Sequence, residues 1–390
     1  MQITDIDGVY ASGIHCGIKP TGALDLAYIY VPNCVGSAIV QSQHHVRSVT
    51  LDHNDTVFTA DPVKLMVINS GNANAVTGPI GAEHVAQTVA KAANHFGCLP
   101  SQVGVASTGI IGVPLPIDNV LRGIDQFSGD EKQGDACANA ILTTDLIKKD
   151  ASKTIKLHGQ DIHIAGITKG SGMISPNMAT TLGFIATNLA LTSDQCKQIL
   201  TAAIEESYNM LSVDTDSSTN DLVTLQASGE VQLDLNDVDI QAVTNAVTDV
   251  CIDLAKQIAK DGEGASHFIE VNVSGATSKP AAKQVAKQVV DSPLVKTAIA
   301  GEDPNWGRIV MAVGKNPAVK IDPSQLGIII NGLTIFSGGR PKELSRPDIQ
   351  KAMAQPDVII DIAVGEGTSV ATAWGCDLTH GYIDINTEYN

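Results

Sequence analysis

The chain is poor in aromatic and charged residues and has no long apolar run. Aromatic residues make up 4% of the 390 positions and charged residues 17%, whereas apolar residues make up 43%. No stretch reaches the roughly 18 consecutive apolar residues that a membrane span needs. Lysine and arginine occur singly or in pairs, and the formal net charge is −17. The scattered cations and the negative charge exclude the clustered lysine and arginine side chains that phosphate contacts require. We therefore expect a globular protein with an aliphatic core and with no nucleic-acid or membrane partner.

Metal-binding and disulfide patterns are also missing. The seven cysteines are far apart and form no CxxC pair, and the histidines are scattered apart from His44–His45. Neighbours in a strand point to opposite faces, so that pair does not make a shared site. The sequence therefore predicts reduced thiols and no metal. The acidic first residues lack the basic and apolar regions of a signal peptide, which favours the cytoplasm.

Short strand-like runs alternate with helical patterns along the chain. Runs rich in β-branched residues, such as 65–69, 103–107 and 309–313, are predicted strands. Apolar spacing predicts helices over 83–96, after a cap at Thr192, and over 239–260. The irregular alternation of these elements predicts α+β layers rather than a simple doubly wound sheet.

The segment 169–184, KGSGMISPNMATTLGF, has the setting of a latent N-terminal nucleophile. Thr180 follows the small residue Ala179 and a turn interrupted by glycine and proline. Cleavage between these two residues would give Thr180 a free α-amine, with a pKa of about 8, which can accept the proton of its own hydroxyl. The alternative is an ordinary turn that leads into a strand.

Other segments admit both a catalytic and a structural interpretation. Residues 107–112, STGIIG, offer Thr108 and Gly109 as oxyanion donors or form a simple strand-to-loop turn. Thr143 begins the TTD segment, which fits a substrate contact or a helix cap. Glu263 fits a site for a substrate ammonium, or its loop ends a helix with Gly262 in a left-handed conformation. The segment 301–308, GEDPNWGR, fits a carboxylate clamp or core packing.

Taken together and in order, these segments resemble the bifunctional ornithine acetyltransferase (glutamate N-acetyltransferase, ArgJ) family of arginine biosynthesis. The resemblance spans essentially the whole chain. It rests on the segments SGNANA, STG-IG, TTD, KGSGMI-PNMAT, STND, DGEGA and GEDPNWGR, with YIDINTEY close to the last residue. It implies a layered α/β fold, an α+β sandwich similar to N-terminal-nucleophile enzymes and of the type shared by DmpA and ArgJ.

The resemblance also implies site residues and processing. Self-cleavage between Ala179 and Thr180 would give an α chain, 1–179, and a β chain, 180–390, which stay associated as a heterotetramer of two α and two β chains. Thr180 matches the nucleophile, and Thr108 and Gly109 match the oxyanion hole. The positions that match substrate contacts are Thr143, Lys169, Thr180, Glu263 and Asn386. The TTD segment leaves Thr144 open as the match instead of Thr143.

The implied reaction moves an acetyl group from N2-acetyl-L-ornithine to L-glutamate through an acetyl-threonine. No cofactor is implied, and whether acetyl-CoA also serves as an acetyl donor stays open. Three other functions remain possible. They are an N-terminal-nucleophile aminopeptidase or amidase that uses water as acceptor, a relative acting on other acyl-amino acids, and a metabolite-binding protein that never matures.

Overall fold

Strands and helices cover most of the residues that the computed structural model describes, which are 1–175, 181–315 and 319–388. The first eight strands are β1 (Tyr10–Ile14), β2 (Leu26–Tyr30), β3 (Gly36–Gln41), β4 (Leu65–Asn72), β5 (Val103–Ile110), β6 (Lys149–Leu157), β7 (Gln160–Lys169) and β8 (Leu182–Leu189). The others are β9 (Leu211–Ser212), β10 (Leu222–Val231), β11 (Phe268–Ala276), β12 (Gly327–Ile330), β13 (Leu333–Ser337), β14 (Arg340–Pro341), β15 (Asp357–Ala363) and β16 (Ser369–Cys376).

The helices lie between these strands and after the last one. They are α1 (Val49–Val57), α2 (Pro79–Phe96), α3 (Ile117–Ile124), α4 (Gly134–Ala140), α5 (Ser193–Glu206), α6 (Asp237–Lys260), α7 (Lys279–Val290), α8 (Pro293–Ala300), α9 (Gly307–Gly314), α10 (Arg346–Met353) and α11 (His380–Glu388). No helix within the described ranges combines the length and the apolar character that crossing a membrane requires.

The chain divides into two units, which are described separately. The first unit comprises Met1–Gly170, Pro176–Asn209 and Asp216–Leu254, and the second comprises Ser171–Ser175, Met210–Thr215 and Ala255–Asn390. This division concerns contacts and not covalent continuity. It therefore does not test the expected α chain 1–179 and β chain 180–390.

Two sheets form the centre of the first unit. One has the strand order β1-β2-β4-β5, and the other has the order β3-β10-β8-β7-β6. Their facing sides share one buried cluster, to which Ile29 and Ile68 contribute from the first sheet and Ile167 and Phe184 from the second. Face-to-face packing of this kind buries one side of each sheet.

The period of two along a strand explains how the first sheet becomes a middle layer. In β2, Ala27 and Ile29 belong to the cluster between the sheets, whereas Leu26 and Tyr28 belong to a second cluster on the opposite face. That second cluster also contains residues of α2 and α3. On the other sheet, α5 packs beside β3 and β10. The unit therefore has helix, sheet, sheet and helix layers, which confirms the expected layered α/β fold.

The second unit has one sheet of order β14-β13-β12-β15-β11-β16-β9. Strand β11, the fifth in this order, pairs in parallel with β15 and antiparallel with β16. Helix α7 covers β11 and β16 with a buried stripe that includes Val285 and Val289. The stripe follows the helical spacing i, i+4.

Most of the elements expected from the sequence are present, and one predicted strand is wrong. Thr192 caps α5, because its hydroxyl accepts the N–H of Gln195 at 3.2 Å. The predicted strand at 309–313 is instead helix α9, with Ile309, Ala312 and Val313 buried at helical spacing. After α6 the left-handed glycine is Gly264, with φ +67°, and not Gly262.

Candidate active site

Thr108 and Gly109 lie near the end of β5, beside the end of β4. The two strands run parallel, and the register places Gly71 opposite Gly109. Gly109 has φ +130°, and a Cβ built on it would lie 2.3 Å from the carbonyl carbon of Gly71. Neither this conformation nor this spacing admits a side chain. Glycine is thus required where the backbones of two neighbouring strands approach each other.

Lys169 is the last residue of β7, and its side chain reaches the end of β5. The residue is only 8% exposed, and its Nζ donates a hydrogen bond to Thr108 Oγ1 at 3.3 Å. The structure therefore brings together two of the residues that the sequence singled out. A buried ammonium next to a hydroxyl is a group that can pair with an anionic ligand.

Thr180 and Ala179, which form the expected cleavage bond, lie outside the described residues, which resume at Thr181. The Thr181 hydroxyl donates to the carbonyl oxygen of Lys169, and it lies 3.1 Å from Thr168 Oγ1. Its carbonyl accepts the N–H of Leu222 at 2.8 Å. The residue that follows Thr180 in sequence is thus fixed beside the end of β7.

Asp145 connects the segment of Thr143 to the residue after Lys169. Its carboxylate accepts the N–H of Thr143 at 2.9 Å and the N–H of Gly170 at 2.6 Å. It also forms an ion pair with Lys149 at 2.7 Å, and both side chains are 0% exposed. In the part of the chain that the structure describes, Asp145 accepts from Thr143 and not from Thr144. Thr143 is therefore the threonine of the pair that is joined to the end of β7.

The charges around Asp145 are mutually dependent. Burial by itself raises the pKa of Asp145, but the ammonium groups of Lys169 and Lys149, with hydrogen bonds, outweigh it and lower the pKa to about 2. Burial lowers the pKa of Lys19, which is also near Asp145 and Lys169. Asp221 is the opposite case, because its burial raises its pKa well above the ordinary value despite the attraction of Lys169. Asp145 is therefore the carboxylate that stays ionised near neutral pH.

Glu263 and Asn386 come together in the second unit. Asn386 Nδ2 donates to Glu263 Oε2 at 2.7 Å, and the N–H of Glu263 donates to the carbonyl of Ser171 at 3.0 Å. The Glu263 residue is 8% exposed. A Cβ on Gly172 would lie 2.3 Å from the Glu263 carboxyl carbon. The carboxylate is therefore held between an amide donor and a bare glycine backbone.

The loop of residues 171–175 precedes the segment that holds the expected cleavage bond. Asp214 accepts the N–H groups of Met173 and Ile174 at 2.6 Å and 2.8 Å. Ser171 Oγ donates to the carbonyl of Asp261 at 2.6 Å. Charge-assisted hydrogen bonds to consecutive backbone N–H groups fix a loop firmly. The second unit thereby anchors this loop next to its own Glu263.

The segment 301–308 does not form a carboxylate clamp. Arg308 Nη1 donates to the carbonyl of Leu294 at 2.9 Å and to Thr297 Oγ1 at 3.1 Å. The ring of Trp306 lies 5.9 Å from that of Phe336. This segment therefore joins α8 to α9, which is its structural interpretation.

Sequence reasoning did not single out Asp145, Lys149, Lys19, Asp221 or Gly172 as members of a site. Asp145 and Lys149 lie between α4 and the start of β6 and not in a helix, so their four-residue spacing gave no signal for an ion pair. No metal-binding group of three or more histidine, cysteine or acidic side chains occurs in the part of the chain that the structure describes.

Attack on a carbonyl of a charged amino acid requires a hydroxyl nucleophile, donors for the oxyanion and charged groups that hold the substrate. In the first unit, the described residues place Thr108 and Gly109 beside the buried ammonium of Lys169. In the second unit, they place the buried carboxylate of Glu263 beside Asn386.

Known proteins are similar in sequence to this chain over nearly its whole length. A model of the ArgJ family matches residues 10–390. The arginine biosynthesis bifunctional protein ArgJ of Oceanobacillus iheyensis is 40% identical and covers 100% of this chain and 96% of its own. The protein of the same name from Bacillus cereus is 39% identical, with 98% and 95% covered.

A solved structure gives a further comparison. The crystal structure of arginine biosynthesis bifunctional protein ArgJ from Bacillus halodurans has a TM-score of 0.50 and is 38% identical in sequence. The match covers 53% of this chain and 98% of that chain. The solved polypeptide is therefore roughly half as long as this one.

Substituting Gly109 tests the close approach of β4 and β5. We expect Gly109→Ala to lower the free energy of unfolding by about 3 kcal/mol. The added Cβ would collide with the Gly71 backbone, and alanine is strained at the φ of this position. Gly112→Ala is the control, since Gly112 has φ +83° but open space around it, and should cost about 1 kcal/mol. Urea unfolding measures the free energy of unfolding of both variants. Equal losses of stability in the two would contradict the close approach of the Gly109 and Gly71 backbones.

Substituting Gly172 tests how Glu263 is held. Gly172→Ala should move the Glu263 carboxylate by at least about 1 Å and break its bond to Asn386, at a cost of about 2 kcal/mol. A crystal structure and thermal unfolding of the variant measure these effects. Gly314→Ala, where no atom lies within 4 Å of the added Cβ, is the control. An unmoved Glu263 in Gly172→Ala would show that the contact does not constrain it.

Proposed function

The chain belongs to the ArgJ family, and from this premise we propose how its residues carry out the family's reaction. It is an ornithine acetyltransferase, also a glutamate N-acetyltransferase, of arginine biosynthesis. It acts on small-molecule substrates. We propose that the acetyl group passes from N2-acetyl-L-ornithine to Thr180 and from there to L-glutamate, in the cytoplasm where amino acids are made. The observation that carries the proposal is the Lys169–Thr108 pair beside the residue that follows Thr180.

The first step is self-cleavage. Thr180 Oγ attacks the carbonyl carbon of Ala179, its proton passes to the departing Thr180 nitrogen, and an ester replaces the peptide bond. Water then hydrolyses this ester, which leaves the Ala179 carboxylate and a free α-amine on Thr180. A homologous solved polypeptide about half as long as this chain supports such processing. The products, 1–179 and 180–390, assemble as two α and two β chains.

The mature site repeats this chemistry on the substrate. The α-amine of Thr180 takes the proton of its own Oγ, which attacks the acetyl carbonyl of N2-acetyl-L-ornithine. N–H and hydroxyl donors at Gly109 and Thr108 stabilise the oxyanion. Ornithine leaves with the proton, and the acetyl group remains on Thr180 as an ester. The α-amine of glutamate then attacks that ester, which restores the Thr180 hydroxyl.

Charged side chains hold the substrates. The buried ammonium of Lys169 suits a substrate carboxylate, and Thr143 contributes a hydroxyl at the same end of β7. Glu263, oriented by Asn386, suits the cationic side chain of ornithine. Glutamate has the opposite side-chain charge, so water must solvate its side chain in that position. Both substrates share the α-carboxylate, which is why one ammonium serves both.

No cofactor is needed, because Thr180 itself carries the acetyl group between the two amino acids. Acetyl-CoA enters as a second acetyl donor, since a thioester carbonyl is open to the same attack. This gives the enzyme its second activity, the acetylation of glutamate without acetylornithine.

Replacing Thr180 tests the nucleophile. Thr180→Ala should leave the chain uncleaved and lower acetyl transfer by at least about 10⁴-fold, because the hydroxyl and the released amine are both lost. Intact mass under denaturing conditions measures the cleavage, and mass after incubation with N2-acetyl-L-ornithine measures the acetyl adduct. Thr180→Ser keeps both groups and should still be cleaved.

The acceptor separates this function from its alternatives. Wild-type protein should form acetylglutamate, and release of ornithine should depend on glutamate. Ornithine release at the same rate without glutamate would indicate an amidase. A single uncleaved mass without adduct would indicate a metabolite-binding protein.

A further inference from the structure

The buried ion pair of Asp145 and Lys149 has no function in the reaction described above. Both side chains are completely buried, and their charged atoms are 2.7 Å apart. Burying two charges costs roughly what their attraction returns, so such a pair is weak evidence for stability. The pair therefore needs another explanation, and the additional bonds of its carboxylate supply one.

The carboxylate of Asp145 bridges two segments that carry expected substrate contacts. One oxygen accepts from Gly170, the neighbour of Lys169, and the other accepts from Thr143 itself. Lys149 donates to the oxygen that also binds Gly170. Because three donors converge on one rigid group, the distance between Thr143 and the Lys169–Gly170 peptide is fixed by the carboxylate and not by the loops.

The same carboxylate balances the charge of the surrounding lysines. Lys19 donates to the carbonyls of Leu24 and Leu142 at 2.8 Å and 2.7 Å, and Leu142 directly precedes Thr143. Lys19, Lys149 and Lys169 all interact electrostatically with Asp145. Asp145 thus brings these three cations together, and Asp25 is a second carboxylate beside Lys19.

We propose that Asp145 is a positioning residue for the acyl-transfer site, which sets Thr143 and Lys169 at the spacing that receives the α-carboxylate of both amino-acid substrates. This inference rests on the proposed function. Lys149 is its buried counterion and contacts no substrate. Moving the carboxylate therefore weakens binding of N2-acetyl-L-ornithine and of glutamate by similar factors, because both present the same carboxylate to Lys169.

Two variants of the full chain test this role. Asp145→Glu keeps the charge but moves the carboxylate by one methylene. The double variant Asp145→Leu with Lys149→Met removes both buried charges, a replacement that buried pairs often tolerate. For each, intact mass gives the amount of cleaved chain, and kcat and KM are measured per cleaved chain for both substrates. The control is Asp150→Asn, which removes a partly exposed partner of Lys148 and should change kcat/KM by less than about twofold.

We expect both variants to lose about 100-fold in kcat/KM, as displacements of about 1 Å do, with KM rising by similar factors for the two substrates. The double variant should keep a melting temperature near that of the wild type. If the double variant regains wild-type kcat/KM together with its stability, the pair is only structural and the inference fails. Unchanged KM values with a lower kcat would overturn it as well.

If Asp145→Glu does not fold, the kcat/KM, the two KM values and the melting temperature of the double variant test the inference in the same way. Should neither fold, Lys149→Met alone is the third variant, because it removes the donor that holds the Asp145 oxygen bound to Gly170. It should raise both KM values together, and an effect on kcat alone would overturn the inference. A wild-type protein that transfers no acetyl group would instead sink the proposed function, so the two failures are distinguishable.

Discussion

Compensation of buried charge is the constraint on which the site of the first unit depends. Lys169 and Lys149 are nearly or fully removed from water, so each ammonium must be balanced by a carboxylate or by hydrogen bonds. Asp145 meets this requirement for several cations at once, and its position is in turn fixed by the backbone N–H groups that it accepts. Thr143 after α4 and Gly170 after β7 are therefore held by electrostatics, whereas apolar packing orders the sheets of this unit.

The layered architecture could be predicted from the sequence because its physical basis is local. Alternation in β2 and β4 assigns neighbouring side chains to two different cores. Helices α2, α5 and α6 are long enough for the helical spacing of their apolar residues to be recognised in the sequence. The strand predicted over residues 309–313 shows where this reasoning fails. Five apolar residues fit a buried strand or one turn and a half of helix, and only the packing of Ile309, Ala312 and Val313 on one face decides between them.

The site could be predicted only as far as its segments carry recognisable composition. Thr108, Gly109, Lys169 and Glu263 stand in glycine-rich segments whose order along the chain identifies the family. The role of Asp145 was not visible in the sequence, because a carboxylate next to two threonines fits a helix cap equally well. Its importance depends on Gly170, which is 25 positions away in the chain. Contacts between residues so far apart in the chain do not change the local sequence pattern, so that pattern cannot predict them.

In the proposed function, one set of donors serves both cleavage of the chain and transfer of the acetyl group, because the two reactions pass through similar tetrahedral transition states. In each, Thr180 Oγ adds to a carbonyl carbon and a negative charge develops on its oxygen, so donors fixed at Gly109 and Thr108 suit both. The difference lies in the base, since the α-amine of Thr180 exists only after cleavage. The proposed cleavage cannot use this amine, so it depends instead on how the described flanking residues are held. In the first unit the Thr181 hydroxyl donates to the Lys169 carbonyl, and in the second unit Asp214 accepts the N–H groups of Met173 and Ile174. Holding the residues that flank a scissile bond lowers the entropic cost of attack on it.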